Sequence, residues 1–340
     1  MAETVDMIGD ERALIEQMCT PNAAVRAAVG ALDGDVVVLG AAGKMGPTLC
    51  ELLVRAGARR VIAVSRFSDS DQRAHLQGMG VETVAADLLD ANALAQLPDA
   101  PYVYHLAGFK FGAAGNVDTT WAMNTWLPGQ VVRRYSDARI VYVSSGNVYA
   151  FAPSGGPSPD EEGAIGPVGE YAQSRLGGER LAQYWSRVQG TPLAIVRLFY
   201  ATELRYGIIH DLAWRVWNGD SIDLTMGYVN QIWQGDANAY LCQLFPLCTS
   251  PAAVINMTGA QVLSTRAMAT RLGELMGREP HFVHREADDA LLGNAERLFE
   301  QLGTPQVSVE HMLQWMAYWV QLGGKSLGKP TKYESRSGKF

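Results

Sequence analysis

The chain has 340 residues, 48% of them hydrophobic, enough apolar material for one large domain or two closely joined ones. Its formal charge is −7 and it has no long Lys/Arg run, which excludes nucleic acid as a partner. The N-terminus lacks a basic stretch followed by an apolar core, and no apolar run approaches the ~18 residues of a membrane span, so a cytoplasmic protein with no membrane partner is expected.

Residues 1–34 predict two short helices, through Ala13, Leu14 and Met18 and then Val25, Ala28 and Val29, broken at Thr20-Pro21. They read as an N-terminal helical extension. Val36-Val37-Val38-Leu39 is an unbroken β-branched and apolar run, as in a strand buried on both faces of a parallel sheet. A glycine turn and a helix through Leu49, Leu52 and Leu53 follow. Further strands are predicted at 61–64, 81–85, 102–106, 140–143 and 193–196, with helical patterns between them. One helix, rich in Trp and Val, runs to about Tyr135; a longer one runs from about Glu170 to Gln189. Residues 151–169, rich in Pro and Gly, predict an irregular loop just after a strand end, where α/β folds place their ligands. The alternation implies an α/β fold: a Rossmann-type doubly wound parallel sheet over 35–200, and a smaller, interleaved substrate-binding lobe over 201–340. That lobe ends in a helix near 308–322 and a polar tail from Gly324 to Phe340.

Cys19, Cys50, Cys242 and Cys248 form no CxxC pair and read as buried, reduced thiols. His281 and His284 lack partners that would complete a zinc site, so no metal is expected.

Gly40-Ala41-Ala42-Gly43-Lys44-Met45-Gly46 follows a buried strand and opens a helix. Gly40 permits a sharp turn, Gly43 a close backbone approach to a pyrophosphate, and Gly46 tight helix–strand packing. The helix N-terminus then offers free N–H groups to the phosphates. The strand–loop–helix context makes this a dinucleotide site. The second strand ends Val64-Ser65-Arg66. No carboxylate stands there for a ribose, whereas Arg66 suits a 2′-phosphate and Ser65 adds a hydroxyl. NADP is therefore favoured, with NAD possible if Asp69 or Asp71 bends back to the ribose.

Three later segments extend the pattern: His105-Leu106-Ala107-Gly108 at a strand end, Val143-Ser144-Ser145-Gly146-Asn147-Val148-Tyr149 at another, and Tyr171-Ala172-Gln173-Ser174-Arg175 opening a helix. With the glycine loop, these resemble the extended short-chain dehydrogenase/reductase family, which includes the NAD-dependent epimerase/dehydratases. The resemblance covers about 35–280. It implies that Tyr171 is the acid/base and that Ser145 hydrogen-bonds the reacting substrate oxygen. It also implies that Asp87-Leu88 contacts adenine, that Leu106, Ala107, Gly108, Val143 and Leu198 line the dinucleotide, and that Asn124 matches the asparagine of the helix after the fourth strand. A phenol titrates near 10, so a tyrosine base needs help near neutrality. The family gives that task to a lysine four residues on; here the pattern is YxxxR, with Arg175. Its spacing keeps a cation beside Tyr171 and near the ribose, but arginine releases no proton.

Nucleotide-sugar members carry an arginine seven residues before an aspartate in the second lobe. Counting back from Asp236 places Val229 there, which argues against a nucleotide-sugar. Lys110, Tyr149, Tyr200, Arg205 and Trp233 are expected near the substrate, with Lys110 and Arg205 suited to a carboxylate. Trp121, Trp126, Trp214 and Trp217 read as packing. The first reading is an NAD(P)-dependent oxidoreductase acting on a secondary alcohol or ketone of a small polar substrate, such as a sugar or sugar acid. The alternatives are an epimerase/dehydratase with transient oxidation, or an NADP-binding sensor or scaffold without catalysis. A homodimer through helices at about 117–135 and 170–189 is expected from the resemblance.

Overall fold

The computed structural model describes residues 6–110 and 115–338. The ends of the predicted N-terminal extension and C-terminal tail, 1–5 and 339–340, lie outside the described residues. The chain begins with α1 (Glu11–Cys19) and α2 (Ala23–Gly30), each started by a side-chain cap: Asp10 accepts from Ala13 N at 2.7 Å and Asn22 from Val25 N at 2.9 Å. The alternating half follows as β1 (Val36–Leu39), α3 (Gly46–Arg55), β2 (Val61–Ser65), α4 (Ser70–Gly78), β3 (Glu82–Ala85), α5 (Ala91–Ala95) and β4 (Tyr102–His105). The predicted helix to Tyr135 is in three pieces: α6 (Val117–Trp121), a π-turn at Ala122–Trp126, and α7 (Leu127–Arg134). Next come β5 (Arg139–Val143), β6 (Ala152–Pro153), α8 (Gly169–Gln189) and β7 (Leu193–Leu198).

The remainder is β8 (Tyr200–Thr202), α9 (Ile208–Asn218), β9 (Ser221–Asp223), β10 (Tyr228–Trp233), α10 (Gln234–Leu241), β11 (Ala253–Met257), β12 (Val262–Ser264), α11 (Thr265–Met276), β13 (His281–Val283), β14 (Asp289–Ala290), α12 (Glu296–Leu302) and α13 (Val309–Gln321). The central sheet has seven parallel strands in the order β11-β7-β5-β4-β1-β2-β3. This is the doubly wound α/β architecture. The order reverses between β1 and β4, so the crevice for a ligand opens where Leu39 and His105 end their strands.

Two buried clusters cover the sheet's faces, one containing Leu49 and Leu53 of α3 and the other Val131 and Val132 of α7. A third fills the second lobe around Leu212, Met268 and Met316. Leu14 and Met18 of α1 belong to this third cluster, whereas Val25 and Val29 of α2 belong to the sheet's. The N-terminal segment is thus divided between the lobes. Arg55 of α3 also pairs with Glu16 at 2.7 Å, and Trp233 Nε1 donates to Gln17 Oε1 at 2.6 Å.

The polar C-terminal tail is docked as a strap. Leu327 N donates to Arg205 O at 3.0 Å, Thr331 Oγ1 to Asp211 Oδ2 at 2.6 Å, and Glu334 pairs with Arg215 at 2.8 Å. Tyr333 is fully buried. Specific pairs hold it, not an apolar periodicity, so no sequence pattern announces it. All four cysteines are free and buried. Among the described residues, no helix is long and apolar enough to cross a membrane.

Candidate dinucleotide and substrate cleft

Strand β1 ends in a turn that Gly40 alone permits: its φ is +84°, and a Cβ there would stand 2.6 Å from Ala107 N. The chain folds back, Gly43 N donating to Gly40 O at 2.9 Å, and enters α3 with no side chain capping its first turn. The N–H groups at that helix start are left for an anion. The residues therefore fit a dinucleotide's pyrophosphate. The turn forms one wall of a cleft of about 1310 Å³ running between the two lobes.

Fifteen of the site positions named from sequence line this cleft: Gly40, Gly43, Lys44, Met45 and Gly46 from the turn; Leu106, Gly108 and Lys110 after β4; Val143 and Ser145 at the end of β5; Tyr171 and Arg175 on α8; and Leu198, Tyr200 and Arg205 from the end of β7 onward. Ser145 is nearly buried, and its hydroxyl lies 3.0 Å from Asn147 Oδ1. Tyr171 and Arg175 are one helical turn apart on α8 and face the same space. Arg175 is buried and its guanidinium donates to Val143 O. It fits because position 108 has no side chain: a Cβ there would meet Arg175 Nη1 at 2.6 Å. Beneath it His105 stacks on Tyr142 at 5.0 Å, and burial, reinforced by the Arg175 charge, drives the imidazole pKa down to about 3.

Two lysines in the cleft are depressed. Lys44 donates to Ala201 O and lies over the Tyr206 ring at 4.1 Å; burial pulls it to about 7, against the carboxylate of Glu203. Lys110 lies 5.6 Å from the ring centroid of Tyr171 and 5.9 Å from that of Tyr200, and burial draws it to about 8.

The other named positions stand elsewhere. Asn124, in the π-turn, is buried; it holds Phe109 through both its amide groups, at 2.8 and 2.9 Å, and reaches Ser174 Oγ at 3.1 Å. It shapes the loop after β4 from behind. Ala107 is buried and presents backbone to Gly40. Ser65 and Arg66 end β2, with Arg66 exposed, while Asp69 caps α4 by accepting from Asp71 N and Gln72 N. Asp69 and Asp71 both line the cleft, whereas Ser65 and Arg66 do not. Asp87 is exposed and accepts from Leu89 N at 3.0 Å; Leu88 is buried against the sheet.

Two substrate-side positions stand outside the cleft lining, and a third lines it but is already paired. Tyr149 is buried behind the cleft, its hydroxyl accepting from Arg197 and donating to Asn256, each at 2.8 Å. Trp233 packs against Trp315 inside the second lobe. Arg205 lines the cleft but is already neutralised, by Glu203 at 3.1 Å and Glu11 at 3.0 Å, leaving little charge for a carboxylate ligand. Val229, the position taken as the missing phosphate grip, lies on β10 with its side chain fully buried in the second core. Val229 is not part of the cleft lining, so its identity carries no argument against a nucleotide-sugar.

Other lining residues had no local signal in the sequence. Glu11, Arg12 and Ile15 of α1 and Lys325, Leu327, Lys329 and Thr331 of the strap reach the cleft from the two ends of the chain. Glu11 joins them, pairing with Arg205 and, at 3.2 Å, with Lys325.

Residues 36–202 match the sequence model of the NAD dependent epimerase/dehydratase family. The chain is 27% identical over 183 residues to an uncharacterized UDP-glucose epimerase of Bacillus subtilis, covering 48% of this chain and 55% of that protein. It is 31% identical over 88 residues to a dTDP-glucose 4,6-dehydratase of Streptomyces niveus, covering 26% of each. The likeness thus spans about half or less of these curated relatives. The fold is similar to that of a UDP-glucuronic acid 4-epimerase from Bacillus cereus solved with NAD, at a TM-score of 0.71 and 20% identity, over 85% of this chain and 99% of that one.

Proposed function

We propose, from the premise that this chain belongs to the NAD dependent epimerase/dehydratase family, that it transiently oxidises a secondary alcohol of a nucleotide-sugar and returns its dinucleotide unchanged. The observation that carries this reading is the convergence of the Gly40 turn, Ser145 and Tyr171 on one cleft. Residues 35–200 would hold the dinucleotide and those from 201 onward the substrate. The bound nicotinamide would supply the hydride acceptor and donor. Ser145 would hold the reacting oxygen, and Tyr171 would take its proton. The relatives named for UDP- and dTDP-sugars support the substrate class. Offered NAD with UDP-glucose, UDP-glucuronic acid or dTDP-glucose, the protein should form product with no net change at the reduced-nicotinamide band. Stoichiometric reduction of NAD would instead mark a dehydrogenase. Tight dinucleotide binding without turnover of any sugar would mark the sensor that the buried Arg175 favours.

The choice between cofactor forms rests on Arg66. It is exposed just after β2 and outside the cleft lining, while Asp69 and Asp71 line the cleft, an arrangement that also suits the ribose hydroxyls of NAD. A charge-assisted hydrogen bond to a 2′-phosphate contributes about 1.5–3 kcal/mol. Arg66→Ala should therefore weaken NADP about 10- to 100-fold and leave NAD unchanged; equal loss of both in calorimetric titration would remove Arg66 from the choice.

A homodimer is part of the same proposal. Val117, Trp121 and Trp126 and, on α8, Leu181, Tyr184 and Val188 are large apolar side chains left exposed on the two outer helical segments. Light scattering should give about twice the chain mass for the native protein, and Leu181→Asp should yield monomer. A monomeric native protein would overturn the assignment.

A further inference from the structure

We infer that Lys110, rather than the cation at position 175, exchanges protons with Tyr171 during turnover; this rests on the proposed role of Tyr171 as acid/base. The geometry separates two tasks that one lysine performs elsewhere. Arg175 is fixed in the cleft wall: it donates to Val143 O, lies 5.3 Å from the Tyr142 ring centroid, and is packed against Gly108. A guanidinium in that place holds shape and charge but does not deprotonate. Lys110, just after β4, carries its amine to 5.6 Å from the Tyr171 ring centroid and 5.9 Å from that of Tyr200.

Among the described residues, the groups around Lys110 include the phenols of Tyr171 on α8 and Tyr200 on β8, Asp211 on α9, and the Lys44 amine from the glycine turn. Lost hydration favours the neutral amine and Asp211 opposes it; the balance, about 8, leaves Lys110 able to gain and lose a proton close to neutrality. In the oxidising direction Tyr171 starts as the phenolate: the substrate O–H bond breaks as a Tyr171 O–H bond forms, and the hydride would pass to the bound dinucleotide. That proton then passes to the neutral amine, forming an N–H bond, and the ammonium releases it to water in the open cleft. The return step runs the same path backwards.

Two readouts test this. In the protein alone, trace acetylation of Lys110 across pH, followed by mass spectrometry, should reach half its limiting rate near pH 8; a midpoint near that of an ordinary lysine would overturn the inference whether or not a substrate is known. In turnover, Lys110→Arg keeps the charge but has no releasable proton, so kcat should fall at least 100-fold with KM little changed, within the range for general acid–base groups. Lys110→Ala should be equally slow and regain activity with added small primary amines, the more so for amines titrating near pH 8. An unaltered pH profile in Lys110→Arg, or no amine rescue in a Lys110→Ala protein that melts like the native one, would sink the relay. Failure of the native protein to turn over any nucleotide-sugar would instead sink the proposed function, leaving the acetylation result to decide Lys110.

Discussion

Tyr171→Phe should lower kcat by about 10²- to 10⁴-fold while dinucleotide affinity stays at the native value. The phenol sits in the first turn of α8, half-buried in the cleft, with Lys110 5.6 Å from its ring centroid. Phenylalanine keeps the ring and so the packing. Removing the oxygen takes away the group proposed to accept and return the substrate proton, an interaction made only as the reaction proceeds. In the proposed function the pyrophosphate would be held by the Gly40 turn and the uncapped start of α3, which the substitution does not touch. Single-turnover kinetics with a nucleotide-sugar, beside calorimetric titration of NAD, separates the two. Full activity in the variant would refute Tyr171 as acid/base.

Glu179→Ala should destabilise the protein by about 3–5 kcal/mol, the usual cost of removing one partner from a buried ion pair. Glu179 is fully buried on α8 and pairs with Arg197 of β7 at 2.9 Å, and Ser144 Oγ donates to it at 2.7 Å. Arg197 continues the network through the Tyr149 hydroxyl to Asn256 of β11. Without the carboxylate, a guanidinium is left in the interior without its countercharge. Urea unfolding should show a lower midpoint at an unchanged slope. The double variant Glu179→Leu with Arg197→Met should lose less than either single one, because both charges leave together. A loss below about 1 kcal/mol in Glu179→Ala would mean that water reaches Arg197 and that the pair does not hold the sheet to α8. Since the network ends at Ser144, beside Ser145, the same variant should also loosen the cleft floor.

Much of the fold was legible because its signals are local. An unbroken apolar run such as Val36–Leu39 means a strand covered on both faces, and the glycine-spaced turn after it means close backbone contact with a phosphate. The break at Thr20-Pro21 is equally local. Strand β11 was missed. Its Asn256 looks out of place in an apolar run until Tyr149 and the carbonyl of Asn294, 2.8 Å away, are brought beside it. The substrate side misled for a related reason. Successive side chains of a strand point to opposite faces, so counting back from Asp236 finds a position but not its direction. Val229 points into a core, as does Trp233 at the end of the same strand. Tyr149, near the end of β5, is drawn inward by Arg197 and Asn256.

The sequence by itself determined the doubly wound sheet, the place of the dinucleotide turn, and the one-turn spacing of Tyr171 and Arg175, because each follows from residues within a few positions of one another. Only the tertiary structure decided which cations are available in the cleft. Arg205 is matched by Glu11, 194 positions away, and Glu11 also takes Lys325, 314 positions away. Lys110 is set near Tyr171 by the residues just after β4, where Asn124 of the π-turn holds Phe109. Pairings across such separations leave no periodic trace in a chain; burial and charge compensation choose them once the two lobes and both terminal segments are packed.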